Sequence, residues 1–222
     1  MVTVNDYKEI KEEIVVYLRN QDILTTTQRE VTTTTATGTF AATSSLLINK
    51  TNIKNIRSIV VVATTLSFGT DYTVDYYYND SGTRKCNITF TSAQTGAYVV
   101  TYDYGTDKIF ADRPRTELRI NQFPRISVEI IGDNNVDADL PGDLEESVIS
   151  FSITVYDDDS DAIDVYLKSI RTAMIGNKKS FYYLTYARRI NTGPLLPFPL
   201  TKGKVMLKAV DYLSPFNFET TT

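Results

Sequence analysis

Two hydrophobic periods follow one another in the stretch from Glu145 to Gly176. Apolar and polar side chains first alternate from Ile149 to Val155, and this period is typical of a strand with one buried face. Between Ile163 and Met174 the apolar spacing changes to three and four residues, which predicts an amphipathic helix. Ser160 suits the N-cap of this helix, and Gly176 suits its C′ position. The stretch therefore predicts a strand that leads into a helix.

A second amphipathic helix is predicted at about residues 6–20. Its apolar side chains fall on one helical face, at Tyr7, Ile10, Ile14, Tyr17 and Leu18. The threonine-rich residues from Leu24 to Gly38 disfavour a helix, because β-branched side chains lose rotamer freedom there. They are compatible with an extended strand or with a linker.

Residues from about Thr39 to Tyr104 carry only strand signals. Ile59 to Val62 is a short apolar run, and Tyr72 to Tyr78 alternates before the strong turn signal at residues 79–82. Five or six short strands at this spacing, without a helical period, are typical of a compact sandwich or barrel.

The remaining segments predict an α+β domain around this module. A strand at Ile126–Ile131, an acidic polar loop at 132–146 and strands at 181–190 and 205–209 accompany the two helices. We therefore expect a small, mostly antiparallel sheet of four strands with two helices on one face, plus an inserted all-β sandwich or barrel. The expected boundaries are residues 1–35 and 106–222 for the discontinuous α+β domain. The inserted module is expected at residues 36–105.

The amino-acid composition excludes several kinds of catalytic, metal and disulfide site. The 222 residues include no histidine and a single cysteine, so a Ser-His-Asp triad, a His-based zinc site and an internal disulfide are excluded. Cys86 lies in a strand-like run and is expected to be a small buried apolar residue. A net charge of −4 gives no bulk attraction to nucleic acid or anionic membranes. We see no secretory signal and no apolar run long enough to span a bilayer.

Carboxylates are the one remaining source of catalytic or metal chemistry. The aspartates at 157–164 invite a calcium or magnesium site, but the ligand spacing of an EF-hand is not met, and helix capping explains the same residues. No carboxylate can be placed in an apolar pocket of the kind that glycosidases use. The sequence therefore predicts no enzyme activity, no cofactor and no metal.

The remaining basic and apolar segments are better explained as surfaces that contact other proteins. Basic side chains around a proline are compatible with phosphate contacts, with a solvated face, or with salt bridges to the acidic loops of a neighbouring copy, which the negative net charge favours. The proline-rich segment TGPLLPFPL at 192–200 is expected to expose apolar groups and to lie against another surface. The predicted interface residues are Arg113, Arg115, Arg119, Arg125, Asp137, Asp139, Asp143, Leu195, Leu196 and Phe198.

The order of these segments resembles a known class of protein. FPRISVEIIG, the polar loop after it, ISFSITVYDDD and the following helix resemble the tail terminator or tail completion proteins of long-tailed viruses, whether of bacteria or archaea. GTDYTVDYYY and ITFTSAQTGAYVVTYDYG are similar to the compact β modules of many virion proteins.

The resemblance implies a role in assembly. Such proteins form a ring, usually a hexamer, that caps the tail tube, stops its polymerisation and docks on the head-side connector. The implied partners are further copies of the chain, the tail-tube protein and the head–tail connector protein, with no membrane and no specific nucleic acid. The implied location is the tail or neck of a virion, after synthesis in the host cytoplasm.

Two other functions remain open at this point. One is a different neck or tail-tube subunit that assembles into a ring by similar loops. The other is a carbohydrate-binding or adhesion protein whose β module recognises a sugar through tyrosines, since tryptophan is absent.

Overall fold

The computed structural model describes residues 6–111, 123–137, 145–176, 181, 184, 187–198 and 205–217. It divides into two compact units, one from residues 1–24 and 108–222 and the other from residues 25–107. The threonine-rich residues after position 24 therefore lie in the second unit. The elements are α1 (Asp6–Asn20), α2 (Thr26–Arg29), β1 (Val31–Ile48), β2 (Ile53–Val61), β3 (Thr64–Thr65), β4 (Tyr72–Asp80), β5 (Thr83–Gly105), β6 (Ile109–Ala111), β7 (Arg125–Asp137), β8 (Glu145–Asp157), α3 (Ser160–Gly176), β9 (Arg188–Thr192), β10 (Leu196–Pro197) and β11 (Met206–Asn217).

The predicted fold class is wrong, because strands dominate the described residues. The first unit contains a six-stranded sheet in the order β10-β11-β8-β7-β6, with β9 also paired to β11, where four strands were predicted. The described part of the chain holds eleven strands in two sheets and three helices, so the protein is mostly β. Short edge strands carry too few residues to show a period, which is why the sequence pattern missed them.

One face of the six-stranded sheet holds the core of the first unit. Alternate residues of β7, β8 and β11 point to this face and pack against the buried faces of α1 and α3. Both predicted helices are confirmed, α1 with the predicted bounds and α3 to within one residue at each end. Tyr17 of α1 also donates its hydroxyl to the backbone carbonyl of Ala173 in α3 at 2.7 Å, which ties the two helices together.

The opposite face of this sheet carries small hydroxyl side chains. Ser127, Ser152 and Thr154 are all buried there, and Tyr156 continues the same row of alternate positions on β8. Tyr156 forms a small second cluster with Phe198 and Val205. The sheet is therefore covered on both faces at the end where β7 begins and β8 ends.

The second unit is one continuous sheet. The prediction of a separate sandwich or barrel is wrong. All five strands belong to a single hydrogen-bonded sheet in the order β1-β5-β2-β3, with β4 paired to β5, whereas a sandwich needs two sheets and a barrel needs a sheet whose edge strands pair. β1 and β5 are 18 and 23 residues long and pair along most of their length, with register shifts between Phe40 and Ser45. The core includes Phe40, Ile59 and Ile88. Gly38 leaves room for the side chain of Tyr98 on the paired strand, because a Cβ at Gly38 would meet the tyrosine ring at about 2.8 Å.

The helix caps differ in detail from the prediction. Asp159, not Ser160, caps α3, since its Oδ1 accepts hydrogen bonds from the backbone amides of Asp161 and Ala162. Gly176 is the last residue of the helix, not the residue after it. The sequence pattern places the helix but does not distinguish adjacent capping residues, because Asp and Ser cap equally well.

Candidate functional site

A row of paired residues crosses the six-stranded sheet at one end. Arg125 of β7 pairs with Tyr156 of β8, Tyr156 pairs with Leu207 of β11, and Leu207 pairs with Leu196 of β10. Directly paired residues of neighbouring strands point to the same face of a sheet. The row therefore presents a cation, an aromatic ring and two aliphatic side chains on one face. We call these four residues the end row.

Phe198 closes over the middle of the end row. Its ring meets the ring of Tyr156 edge-on, with centroids 5.4 Å apart and planes at 78°. The backbone amide of Phe198 donates to the carbonyl of Val205 at 2.7 Å, which extends the pairing beyond β10. The expectation that Phe198 is exposed is wrong, because the side chain is 9% exposed and packs against its own chain.

Arg125 is held in an unusual environment for a cation. Its guanidinium carbon lies 4.4 Å from the centroid of the Phe110 ring, a cation–π contact. Its Nε is buried and meets no hydrogen-bond acceptor among the described residues. Burial lowers the pKa of Arg125 below its usual range, and Tyr156 partly offsets this, but the guanidinium remains charged at any physiological pH. The guanidinium of Arg125 is thus a half-buried cation to which no described residue supplies a carboxylate partner.

An apolar edge adjoins the end row. β9 and β10 follow one another along the same edge of β11, and the exposed fractions of Ile190, Leu195 and Leu196 are 53%, 37% and 47%. The proline-rich segment is more regular than predicted, because Leu196 and Pro197 form a two-residue edge strand. Pro197 is tolerated there since an edge strand need not donate on both sides. We call Ile190, Leu195 and Leu196 the apolar edge.

The structure brings together four of the ten predicted interface residues. Arg125 and Leu196 share the end row, Leu195 adjoins Leu196, and Phe198 packs on Tyr156. Asp137 lies at the opposite end of β7 from Arg125. The other predicted residues lie outside the described part of the chain, namely Arg113, Arg115, Arg119, Asp139 and Asp143.

Sequence reasoning missed a buried ion-pair network in the second unit. Arg29 donates to Asp103 from Nη1 at 2.9 Å and to Asp107 from Nη2 at 2.7 Å, and all three side chains are buried. Arg57 donates from Nε to Asp103 at 2.8 Å. The network joins the start and the end of the second unit, where β1 and β5 also pair. The S/T-x-x-Q capping box of Thr25 and Gln28 was the available signal for α2, the short helix that carries Arg29.

The aspartate-rich turn before α3 is built from local hydrogen bonds. Oδ1 of Asp157 accepts from the backbone amides of Asp158 and Asp159, and Asp159 in turn caps the helix. Burial raises the pKa of Asp157, as does its neighbour Asp158. The described residues contain no group of three or more His, Cys, Asp or Glu side chains placed to hold a metal ion.

An open groove of about 670 Å³ runs between α3 and the turn after α1. Its two helical hydroxyls are engaged within the helix, since Ser169 donates to the carbonyl of Val165 and Thr172 donates to that of Lys168. The groove thus presents short polar groups that already have partners.

In the described ranges no helix has the length and apolar content needed to cross a bilayer. No protein-family model matches the sequence, and no curated protein is significantly similar to it.

Proposed function

We propose that the chain is a virion structural protein that forms a ring at the head-proximal end of a viral tail. In this role it ends growth of the tail tube and joins the tail to the head connector. The residues that carry the resemblance to tail terminators are those of the β7–β8 hairpin and α3, the central elements of the first unit.

The apolar edge is the observation that best supports assembly. Three aliphatic side chains are exposed on the edge strands β9 and β10 and on the link between them, at one end of the row that also holds Tyr156 and the half-buried Arg125. Exposed edge strands pair readily with other chains, and contact surfaces are enriched in arginine and aromatic residues. An edge that docks on a different surface of the next copy forms a head-to-tail contact, and repeated rotation of such a contact closes a ring.

Immunogold labelling of intact particles tests the location. Antibodies against the purified chain should label the junction of head and tail in negatively stained virions. Label along the tail shaft would instead favour a tail-tube subunit, and label absent from the particle would contradict a virion role. Antibodies against the major tail-tube protein provide the matched control.

One observation favours sugar binding as a second candidate. Tyr77 is 58% exposed in the second unit, and the guanidinium of Arg84 lies 5.9 Å from the centroid of its ring. Exposed tyrosine rings can stack on sugar faces while neighbouring polar groups bind hydroxyls. A glycan array probed with the full chain, with Tyr77→Ala as control, should show binding that the substitution removes. An array without signal for the wild-type chain would contradict sugar binding.

A further inference from the structure

We infer that β1 of the second unit pairs edge to edge, and antiparallel, with β1 of a second copy of the chain. The inference goes beyond the proposed function and does not depend on it, because it uses only the backbone and the composition of this strand. β1 is an outer strand of its sheet. Among the described residues it pairs with β5 on one side and with no strand on the other.

The backbone groups of alternate threonines in β1 point away from β5. Successive residues of an antiparallel strand direct their amide and carbonyl groups to opposite sides. The carbonyl of Ala97 in β5 accepts from the amide of Val62, which follows β2, so even-numbered residues of β5 bond towards β1. These residues pair with even-numbered residues of β1. The outward-pointing backbone groups therefore belong to Thr33, Thr35, Thr37 and Thr39, which we call the open edge.

The open edge is accessible from both faces of the sheet. All four of its residues are exposed, and their side chains share one face. Thr32 and Gly38, whose Cα positions belong to the opposite face, are exposed as well. A further strand can therefore reach the outward amides and carbonyls without displacing another part of the chain.

β1 lacks the features that usually keep an outer strand from pairing. Natural edge strands are protected by charged side chains, by proline or by bulges. Residues 31–48 contain no charged residue and no proline, and the register shifts of β1 begin only after Phe40. β4, the other long outer strand of this sheet, carries Asp75 and Asp80. In the described part of the second unit, β1 is thus the long edge that is left open to pairing.

The composition of the open edge favours a second copy over a different protein. When a sheet edge recognises a foreign strand, side-chain pockets supply the specificity. The open edge offers only short threonine side chains, so it holds no deep pocket and no charge with which to select such a strand. Its own sequence fits it, because threonine pairs across antiparallel strands are favourable and the uncharged strand meets no like charge.

One register uses the whole open edge. A two-fold axis at Ala36 places Thr33 opposite Thr39 and Thr35 opposite Thr37, and each pair occurs twice. All four outward residues of each copy then bond to the other copy, over a length of about 20 Å. The contact joins the same surface of both copies, so it is isologous and makes a closed pair.

Cysteine trapping tests this register in the purified full chain. Thr35→Cys and Thr37→Cys are made separately in a Cys86→Ser background, and one of the two carries a tag. Opposite residues lie about 5.5 Å apart, within the range of a disulfide. Identical positions lie about 7 Å further along the strand. Mild oxidation of the mixture should therefore link the two variants at least tenfold faster than it links either variant to itself.

Lysine substitution tests the pairing by a second measurement. Thr35→Lys/Thr37→Lys places like charges opposite one another, and the dissociation constant from sedimentation equilibrium should rise at least tenfold. Thr83→Lys/Thr95→Lys adds the same charge at exposed positions of β5 and should leave the dissociation constant unchanged. Urea denaturation of both double variants shows that they fold.

Three results would overturn the inference. They are a wild-type chain that stays monomeric at micromolar concentrations, equal dissociation constants for the two lysine variants, and a cysteine mixture that links no faster than its components. Each would point to a strand of another protein as the occupant of the open edge. None of them bears on where the chain lies in a particle, which the labelling experiment decides.

Discussion

Arg29 and Asp103 form a buried ion pair in which Nη1 and Oδ2 lie 2.9 Å apart and neither side chain is exposed. Asp107 accepts a hydrogen bond from a second nitrogen of the same guanidinium. One cation therefore pairs with two carboxylates, one near the end of β5 and one in the turn that follows it. The pair joins residues that are 74 positions apart in the chain. It therefore fixes the start of the unit against its end.

Loss of Arg29 should destabilise the second unit strongly. Arg29→Ala removes the buried cation to which both Asp103 and Asp107 are paired, and we expect a loss of about 3–5 kcal/mol in the free energy of unfolding. Urea denaturation of the full chain measures it. Lys85→Ala is the matched control, because its ion pair with Asp80 is partly exposed and is expected to contribute less than about 1 kcal/mol. Equal effects of the two substitutions would contradict the structural role of Arg29.

Asp103 should make stability depend on acid pH. Burial alone raises the pKa of Asp103, but hydrogen bonds from Arg57 and Thr33 and the charges of Arg29 and Arg57 outweigh it, so the pKa is lowered. A carboxyl whose pKa is lower in the folded than in the unfolded state stabilises the fold above its unfolded pKa, about 4. This contribution is lost as the pH falls through the folded pKa. Wild-type stability should decline below about pH 4, and Asp103→Asn should flatten that decline. A variant with an unchanged slope would contradict the assignment.

Asp157 should behave in the opposite sense. Its pKa is raised by burial, so its contribution is greatest when the carboxyl is protonated, below its unfolded pKa, and is lost as the pH rises through the folded pKa. Asp157→Asn keeps an oxygen for the amides of Asp158 and Asp159 but carries no charge. Thermal melts at pH 7 should show Asp157→Asn at least as stable as wild type. Asp157→Ala, which loses both hydrogen bonds, should be about 1 kcal/mol less stable.

The thiol of Cys86 should be unreactive toward disulfide reagents in the folded protein. It is fully buried, and burial, with a smaller effect of Asp75, raises the pKa of its thiol to about 12. Thiolate is the reactive form, so a disulfide reagent at pH 8 should modify the thiol only after the second unit opens. The predicted rate rises sharply across the urea transition. Rapid modification without denaturant would contradict the burial, and Cys86→Ser serves as the blank.

The sequence predicted the long periodic elements well and the short ones poorly. α1 and α3 match their predicted bounds to within one residue, because an apolar stripe over four turns outweighs local preferences. β9 begins only at Arg188, although the aromatic residues from Phe181 onward favoured a strand. Phe181 and Leu184 are buried in the core without strand pairing, so burial alone produced the apolar signal.

The candidate site was predictable as a set of residues but not as an arrangement. Arg125 and Leu196 were both selected from the sequence, yet only the registers of β7, β8, β11 and β10 place them in one row. Register depends on contacts between distant segments, which no local pattern contains. The Arg29 network escaped prediction for the same reason, since its partners lie more than 70 residues away.

Imaging particles made without the gene tests the central claim most directly. Complementation with the wild-type gene provides the control. A ring that ends tail growth and joins tail to head predicts overlong or headless tails in electron micrographs of the deletion, and tails of normal length joined to heads once the gene is restored. Normal joined virions in the absence of the gene would contradict the account.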